Sequence, residues 1–163
     1  MAHQFTVQAS IQGISLQDFK RLAAQTELHE AVCKRIPGEQ LEIIQSEKTG
    51  DIYTLKRAYN LDVKIPDTAK KFLKDAFRLH RTDVSNLEAM TSEVTLNPNL
   101  PLKANCQRRV TGDDSHVAFH LDWHINVKVP LIGGMLERHA ESEIRRFSQV
   151  EIEIIEDELR KHL

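Results

Sequence analysis

Lys128-Val129-Pro130-Leu131-Ile132-Gly133-Gly134-Met135-Leu136-Glu137 separates two hydrophobic rhythms. Before it, Val117, Phe119, Leu121, Trp123, Ile125 and Val127 alternate with Ala118, His120, Asp122, His124, Asn126 and Lys128. A period of two belongs to a strand with one buried face. After it, Ile132, Met135, Leu136, Ala140, Ile144, Phe147, Ile154, Ile155 and Leu159 recur at helical spacing among charged residues. The helical pattern runs from Leu131 to Leu163. At ~1.5 Å per residue, such a helix is ~45 Å long, enough to cross a whole sheet. The switch has a backbone cause. Pro130 removes an amide donor and steers Val129 away from helix. Gly133 and Gly134 are poor helix formers. Their place in the first turn predicts either close packing of the helix start on the sheet or access of a ligand to the backbone. Glu137 complements the positive end of the helix dipole.

Working back from this joint, the remaining strands read as a series. Phe5 to Ile14 alternates, with Phe5, Val7, Ala9 and Ile11 on one face. Ser15 resembles an N-cap, with Asp18 in the capping-box position. Phe19, Leu22 and Ala23 then follow on one helical face. Thr26 is a candidate cap for a second short helix carrying Leu28, Ala31 and Val32, which Pro37-Gly38 ends. Glu39–Glu47 and Ile52–Leu61 flank Lys48-Thr49-Gly50-Asp51 as a hairpin. Asp67–Phe77 reads as a short helix with Phe72, Leu73, Ala76 and Phe77 on one stripe. Strands are predicted over Arg78–Val84, Leu87–Leu96, Leu102–Val110 and His116–Val129, with breaks rich in turn formers. The order is β-α-α-β6-α. Consecutive strands with tight breaks imply an antiparallel sheet of seven strands. The last helix is the element large enough to cover its concave face.

Bulk properties narrow the classes of function. The chain has 163 residues, which suits one domain over 1–163. Apolar residues make up 40% and charged residues 28%, and the net charge is -2. That balance argues against a nucleic-acid partner, which a strong basic excess would mark. Met1-Ala2-His3-Gln4-Phe5 has no basic segment followed by an apolar run, so no signal peptide is expected. No apolar run approaches a membrane span, and the expected location is the cytoplasm. Cys33 and Cys106 fit a reducing compartment better than a disulfide framework.

The element order resembles the START-like (SRPBCC) superfamily, whose helix-grip fold wraps a curved sheet round a long C-terminal helix. The joint resembles the V-P-L-x-G-G-x-x-E signature of an uncharacterised bacterial family within it: Val129, Pro130, Leu131, Gly133, Gly134 and Glu137 match. The resemblance implies an α+β helix-grip fold and a cavity. Members of the superfamily bind lipids, sterols, plant hormones or polyketides, and a few catalyse cyclisation or hydrolysis.

Local chemical signals are few. His120, Asp122 and His124 share one strand face and are competent zinc ligands. The opposite face is the apolar one, so the trio is expected to point outward, to solvent or a partner. There is no G-x-S-x-G elbow, P-loop or G-x-G-x-x-G motif. His139 and Arg146 lie two turns apart on the long helix, either on an exposed flank or facing a ligand head group. Arg57 stands among Tyr53, Leu55, Tyr59 and Leu61. A buried arginine needs a partner, so Arg57 is either an anion contact or a sheet-edge residue. The Asp67–Phe77 helix is a packed element, a lid, or a membrane-surface helix too small to anchor alone.

The expectation is therefore a cavity for an apolar or amphipathic, lipid-like molecule. Its wall is expected from Tyr59, Phe72, Phe77, Phe119, Leu121, Trp123, Met135 and Leu136, with Arg57 and His139 as polar contacts. No cofactor, metal or catalytic residue is assigned. An enzyme of the same fold (a cyclase or hydrolase) and an interaction module or homodimer are the alternatives.

Overall fold

The computed structural model describes residues 3–163. The elements are β1 (His3–Gln12), α1 (Leu16–Ala23), α2 (Thr26–Arg35), β2 (Gly38–Thr49), β3 (Ile52–Leu61), α3 (Asp67–Lys70), β4 (Leu79–Asn86), β5 (Thr91–Pro98), β6 (Leu102–Gly112), β7 (His116–Val127) and α4 (Gly133–Arg160). The strands form one seven-stranded antiparallel sheet in the order β1-β7-β6-β5-β4-β3-β2. The first strand thus pairs with the last, from His3 opposite Ile125 to Gln12 opposite His116. The long helix α4 lies over the concave face, in the α+β helix-grip arrangement.

Local chemistry sets most boundaries. Ser15 caps α1, its Oγ accepting from the Asp18 amide at 3.0 Å. Phe19 from α1 meets Phe119 of β7 edge-on at 5.5 Å. Ile11, Ile14, Leu22, Val117, Ile125 and Leu159 are the most deeply buried side chains of the main core. Arg35 at the end of α2 donates to Asp157 at 2.5 Å and Glu158 at 2.9 Å, tying α2 to the far half of α4.

Several expectations are corrected. The helix predicted over Asp67–Phe77 spans only Asp67–Lys70. Within it only Ala69 is buried, too little to offset helix nucleation. Thr26 is the first residue of α2 and not its cap; Gln25 holds that position without a side-chain bond. The fifth strand begins at Thr91, not Leu87. Asn86 Oδ1 accepts from the Glu88 and Ala89 amides and makes a turn of 86–90. The last strand ends at Val127, where the Lys128 amide turns to the Pro101 carbonyl at 3.1 Å.

Close packing at Gly133 and Gly134 is also overturned. A Cβ on Gly133 would meet only Val127 Cγ1, at 4.0 Å, and one on Gly134 only the tip of Arg138, at 3.5 Å. Both are ordinary contacts. The demanding residue is Leu131, which is fully exposed and sits at φ 73°. A side chain there costs roughly 1–2 kcal/mol relative to the right-handed region.

Candidate functional site

Alternation puts one row of each strand against α4. On β7 that row is Val117, Phe119, Leu121, Trp123 and Ile125, all buried. On β4 it is Leu79, Arg81, Asp83 and Ser85. The facing stripe of α4 carries Leu136, Ala140, Ile144, Ser148, Glu151 and Ile155, three or four residues apart. Between the two layers lies a cavity of about 130 Å³. Its outer part is lined by apolar side chains such as Leu79, Leu96, Leu102, Ala140 and Ile144, and its floor by Arg81, Arg108 and Glu151. A second cavity of about 50 Å³ continues beneath α2, with His29, Tyr53, Arg57, Asp83 and Arg108 in its wall.

Of the residues expected at the wall, Tyr59, Phe77, Leu121, Trp123, Leu136 and His139 line the larger cavity. Arg57 and Phe119 line the smaller one. Phe72 and Met135 line neither. Phe72 carries Lys71 over its ring at 5.3 Å, and Met135 Sδ accepts from Thr68 Oγ1 at 3.6 Å. His139 Nε2 donates to the Lys64 carbonyl, and Arg146 Nη2 donates to the Asp62 carbonyl at 3.1 Å. These two side chains clamp the linker after β3 onto α4.

The floor is an ion cluster. Arg81 holds Asp83 with Nε at 2.8 Å and Nη2 at 3.0 Å, and Glu151 with Nη1 at 2.8 Å and Nη2 at 3.2 Å. Arg57, 4% exposed, reaches Asp83 at a longer 3.4 Å. Arg57 is therefore a buried residue on β3, which is flanked on both sides by β2 and β4, and not an edge residue. Arg57 and Arg81 stand directly opposite each other on β3 and β4, a repulsive pairing that Asp83 offsets. Burial disfavours the Asp83 charge, but the Arg81 and Arg57 guanidiniums outweigh it and hold the carboxyl well below the usual range. Burial likewise opposes ionisation of Glu151, and Arg81 reverses it. Both carboxyls are ionised at neutral pH.

The other polar groups near the floor are neutral. Burial pushes His29 below its ordinary pKa, against a 2.7 Å bond donated by Nε2 to the Ala23 carbonyl. Burial raises Cys33 and Tyr53, and pushes Cys106 up to about 12. Both thiols are free, buried and poorly nucleophilic. Ser85 and Ser92 share a 2.8 Å bond, and Ser92 accepts from Arg108 Nη2 at 3.0 Å. No hydroxyl or thiol in the cavity walls bonds to a histidine among the described residues, so no nucleophile–base pair is assembled there. Among the described residues three buried side-chain donors lack a partner: Arg57 Nε, Arg108 Nε and Trp123 Nε1.

His120, Asp122 and His124 lie on the convex side, opposite the buried row of β7. Asp122 accepts from Thr6 Oγ1 at 3.0 Å, and His120 Nε2 lies 3.3 Å from Thr111 Oγ1. Among the described residues no three His, Cys, Asp or Glu side chains are grouped to hold a metal. Among the described residues no helix is long and apolar enough to cross a membrane.

Sequence reasoning found Arg57 and missed Arg81, Asp83, Arg108 and Glu151. Glu151 left a signal, being a carboxylate inside the apolar stripe of α4. Arg108 left one too, as the single charge in the β6 row of Leu102, Ala104, Cys106 and Val110. Arg81 and Asp83 left none, because β4 has polar side chains on both faces.

A family model described as a protein of unknown function, DUF2505, matches residues 6–159. The chain belongs to that family. No curated protein matches it. Among solved structures, this DUF2505 protein is similar to the Zhui aromatase/cyclase from Streptomyces sp. R1128, with 12% identity and a TM-score of 0.63 over 98% of this chain and 95% of that one. It is similar to a point mutant of norcoclaurine synthase from Thalictrum flavum, at 13% identity and a TM-score of 0.62 over 99% and 98% of the two chains. A START superfamily protein from Mycobacterium smegmatis follows at 10% identity and a TM-score of 0.56 over 97% and 99%. At such identities the likeness is one of fold, and that fold is START-like.

Proposed function

We propose that this DUF2505 protein binds an apolar or amphipathic small molecule between the sheet and α4. The observation that carries the reading is space left in an otherwise packed interior, about 130 Å³ of it, lined by leucines and isoleucines. Close-packed interiors contain few voids larger than a water molecule. An apolar recess of this size, part-open to solvent, leaves its lining short of contacts unless a solute fills it. The kinds of protein that share the fold support the reading, since an aromatase/cyclase and a norcoclaurine synthase both handle small molecules.

Size decides what class of molecule fits. A dry apolar cavity of about 150 Å³ holds one benzene, and drug-sized ligands occupy about 300–1,000 Å³. The DUF2505 cavity therefore suits a single ring or a short branched chain. A sterol or a two-chain lipid requires the segment 61–78, which carries Phe77 and the carbonyl held by His139, to move away from α4.

Trp123 is the single tryptophan and lines the cavity, so its fluorescence reports occupancy. Titration with 2-phenylethanol is expected to give a saturable change in wild type. Ala140→Leu, which fills the space from the helix side, is expected to abolish it. The reading fails if wild type shows no saturable change up to the solubility of the probe.

A further inference from the structure

Charge on the concave face does not balance. At the floor, the cluster holds three guanidiniums (Arg57, Arg81, Arg108) and two carboxylates (Asp83, Glu151), a net of 3 − 2 = +1; nearer the rim, Glu143 is paired with Arg146 and Lys64 is exposed. His29, Cys33 and Tyr53 add nothing, because burial keeps each of them neutral. The two carboxylates are engaged by Arg81 and Arg57. Arg108 is the cation left over. It pairs with no carboxylate within salt-bridge distance among the described residues, and its one partner is the neutral Ser92 hydroxyl. Arg108 is half-buried, and its Nε lies out of contact with water and has no acceptor, which disfavours the site as it stands.

Position makes the surplus useful. Arg108 lines both cavities, standing at the step between the apolar room and the polar one. On β6 it pairs with Leu121 of β7, so Trp123 is its diagonal neighbour, about 7–8 Å away at the backbone. Trp123 is 4% exposed and its indole N–H has no acceptor. Arg108, with no carboxylate partner, and Trp123, with an unused N–H, thus both line the apolar chamber from neighbouring strands.

We propose that this floor is a carboxylate site, and that the ligand is a small monocarboxylate with an apolar body. The head would sit against Arg108 beside Trp123, and the body among Leu79, Leu96, Leu102 and Ile144. One negative charge neutralises the cluster. A phosphate monoester, near −2 at neutral pH, would reverse its sign and leave oxygens without donors. This rests on the reading of the cavity as a binding site and names the chemistry of its ligand.

The test compares two probes of nearly equal size, phenylacetate and 2-phenylethanol, by Trp123 fluorescence. Wild type is expected to bind phenylacetate at least about tenfold more tightly, the usual worth of a charge-assisted contact in a shielded site. In Arg108→Met the two affinities are expected to become equal within about threefold. Equal affinities in wild type would overturn the carboxylate site and leave the cavity reading standing; so would a preference that survives Arg108→Met. No saturable change with either probe would overturn both. The wild-type comparison needs no variant, so it decides even if Arg108→Met fails to fold.

Discussion

The inward row of β7 and the inward row of β4 face the same helix and are built in opposite ways. Val117 to Ile125 on β7 present only apolar side chains, and they pack into the main core. Leu79, Arg81, Asp83 and Ser85 on β4 present mostly polar ones, and they pack into a network of charges. The β7 side is held by burial, which is non-directional and tolerant of small changes. The β4 side is held by complementary charges, where each member depends on the rest. Space remains along the line where the two chemistries meet.

Breaking the ionic side should have the largest effect. Asp83→Asn leaves Arg57 and Arg81 facing each other without their shared counter-ion. The expected loss is about 3–5 kcal/mol, on the order of a 10 °C fall in Tm for a chain of this size. Calorimetry checks this, and an unchanged Tm would mean that the cluster is hydrated in solution and that the contrast is false.

Acid should loosen the same side in two steps. His29 has a folded pKa below its unfolded 6.5, so below about pH 6.5 the unfolded state binds the extra proton. Stability then falls by up to about 1.4 kcal/mol per pH unit until the folded pKa is reached. Asp83 and Glu151 have depressed folded values. Their contribution is present above the unfolded carboxyl range near pH 4 and is lost as pH falls from there toward the folded values. Urea midpoints measured from pH 7.5 to 4 should decline from about pH 6.5, and His29→Gln should delay the decline toward pH 4.

The smallest change comes from the apolar side. Ala140→Leu adds methyl groups to existing space, so it is expected to be neutral or to stabilise by about 0.5–1 kcal/mol. A loss above about 1 kcal/mol would show that the room is narrower in solution than the structure draws it.

The same contrast explains what was legible. The alternation of β7 and the stripe of α4 are one-dimensional patterns, and they set the order of elements and the helix-grip fold. The helix over 67–77 was misread because its stripe, Phe72 to Phe77, has little to pack against once Lys70 and Lys71 face solvent. At the floor, Arg57 was visible as one charge in an apolar row. Asp83 and Arg81 were not, because β4 is polar on both faces and they lie 26 and 24 residues away along the chain (83 − 57 and 81 − 57).

The sequence by itself determined the strand series, the break at Pro130 and the long covering helix, since each follows from local spacing and backbone restriction. Only the tertiary structure decided where the charges meet and which one is left over. Register placed Arg57 opposite Arg81 and Arg108 beside Ser92, and the crossing of α4 brought Glu151 to Arg81. Charge compensation acts over a few ångströms in space, so it becomes readable only once distant segments have been brought together.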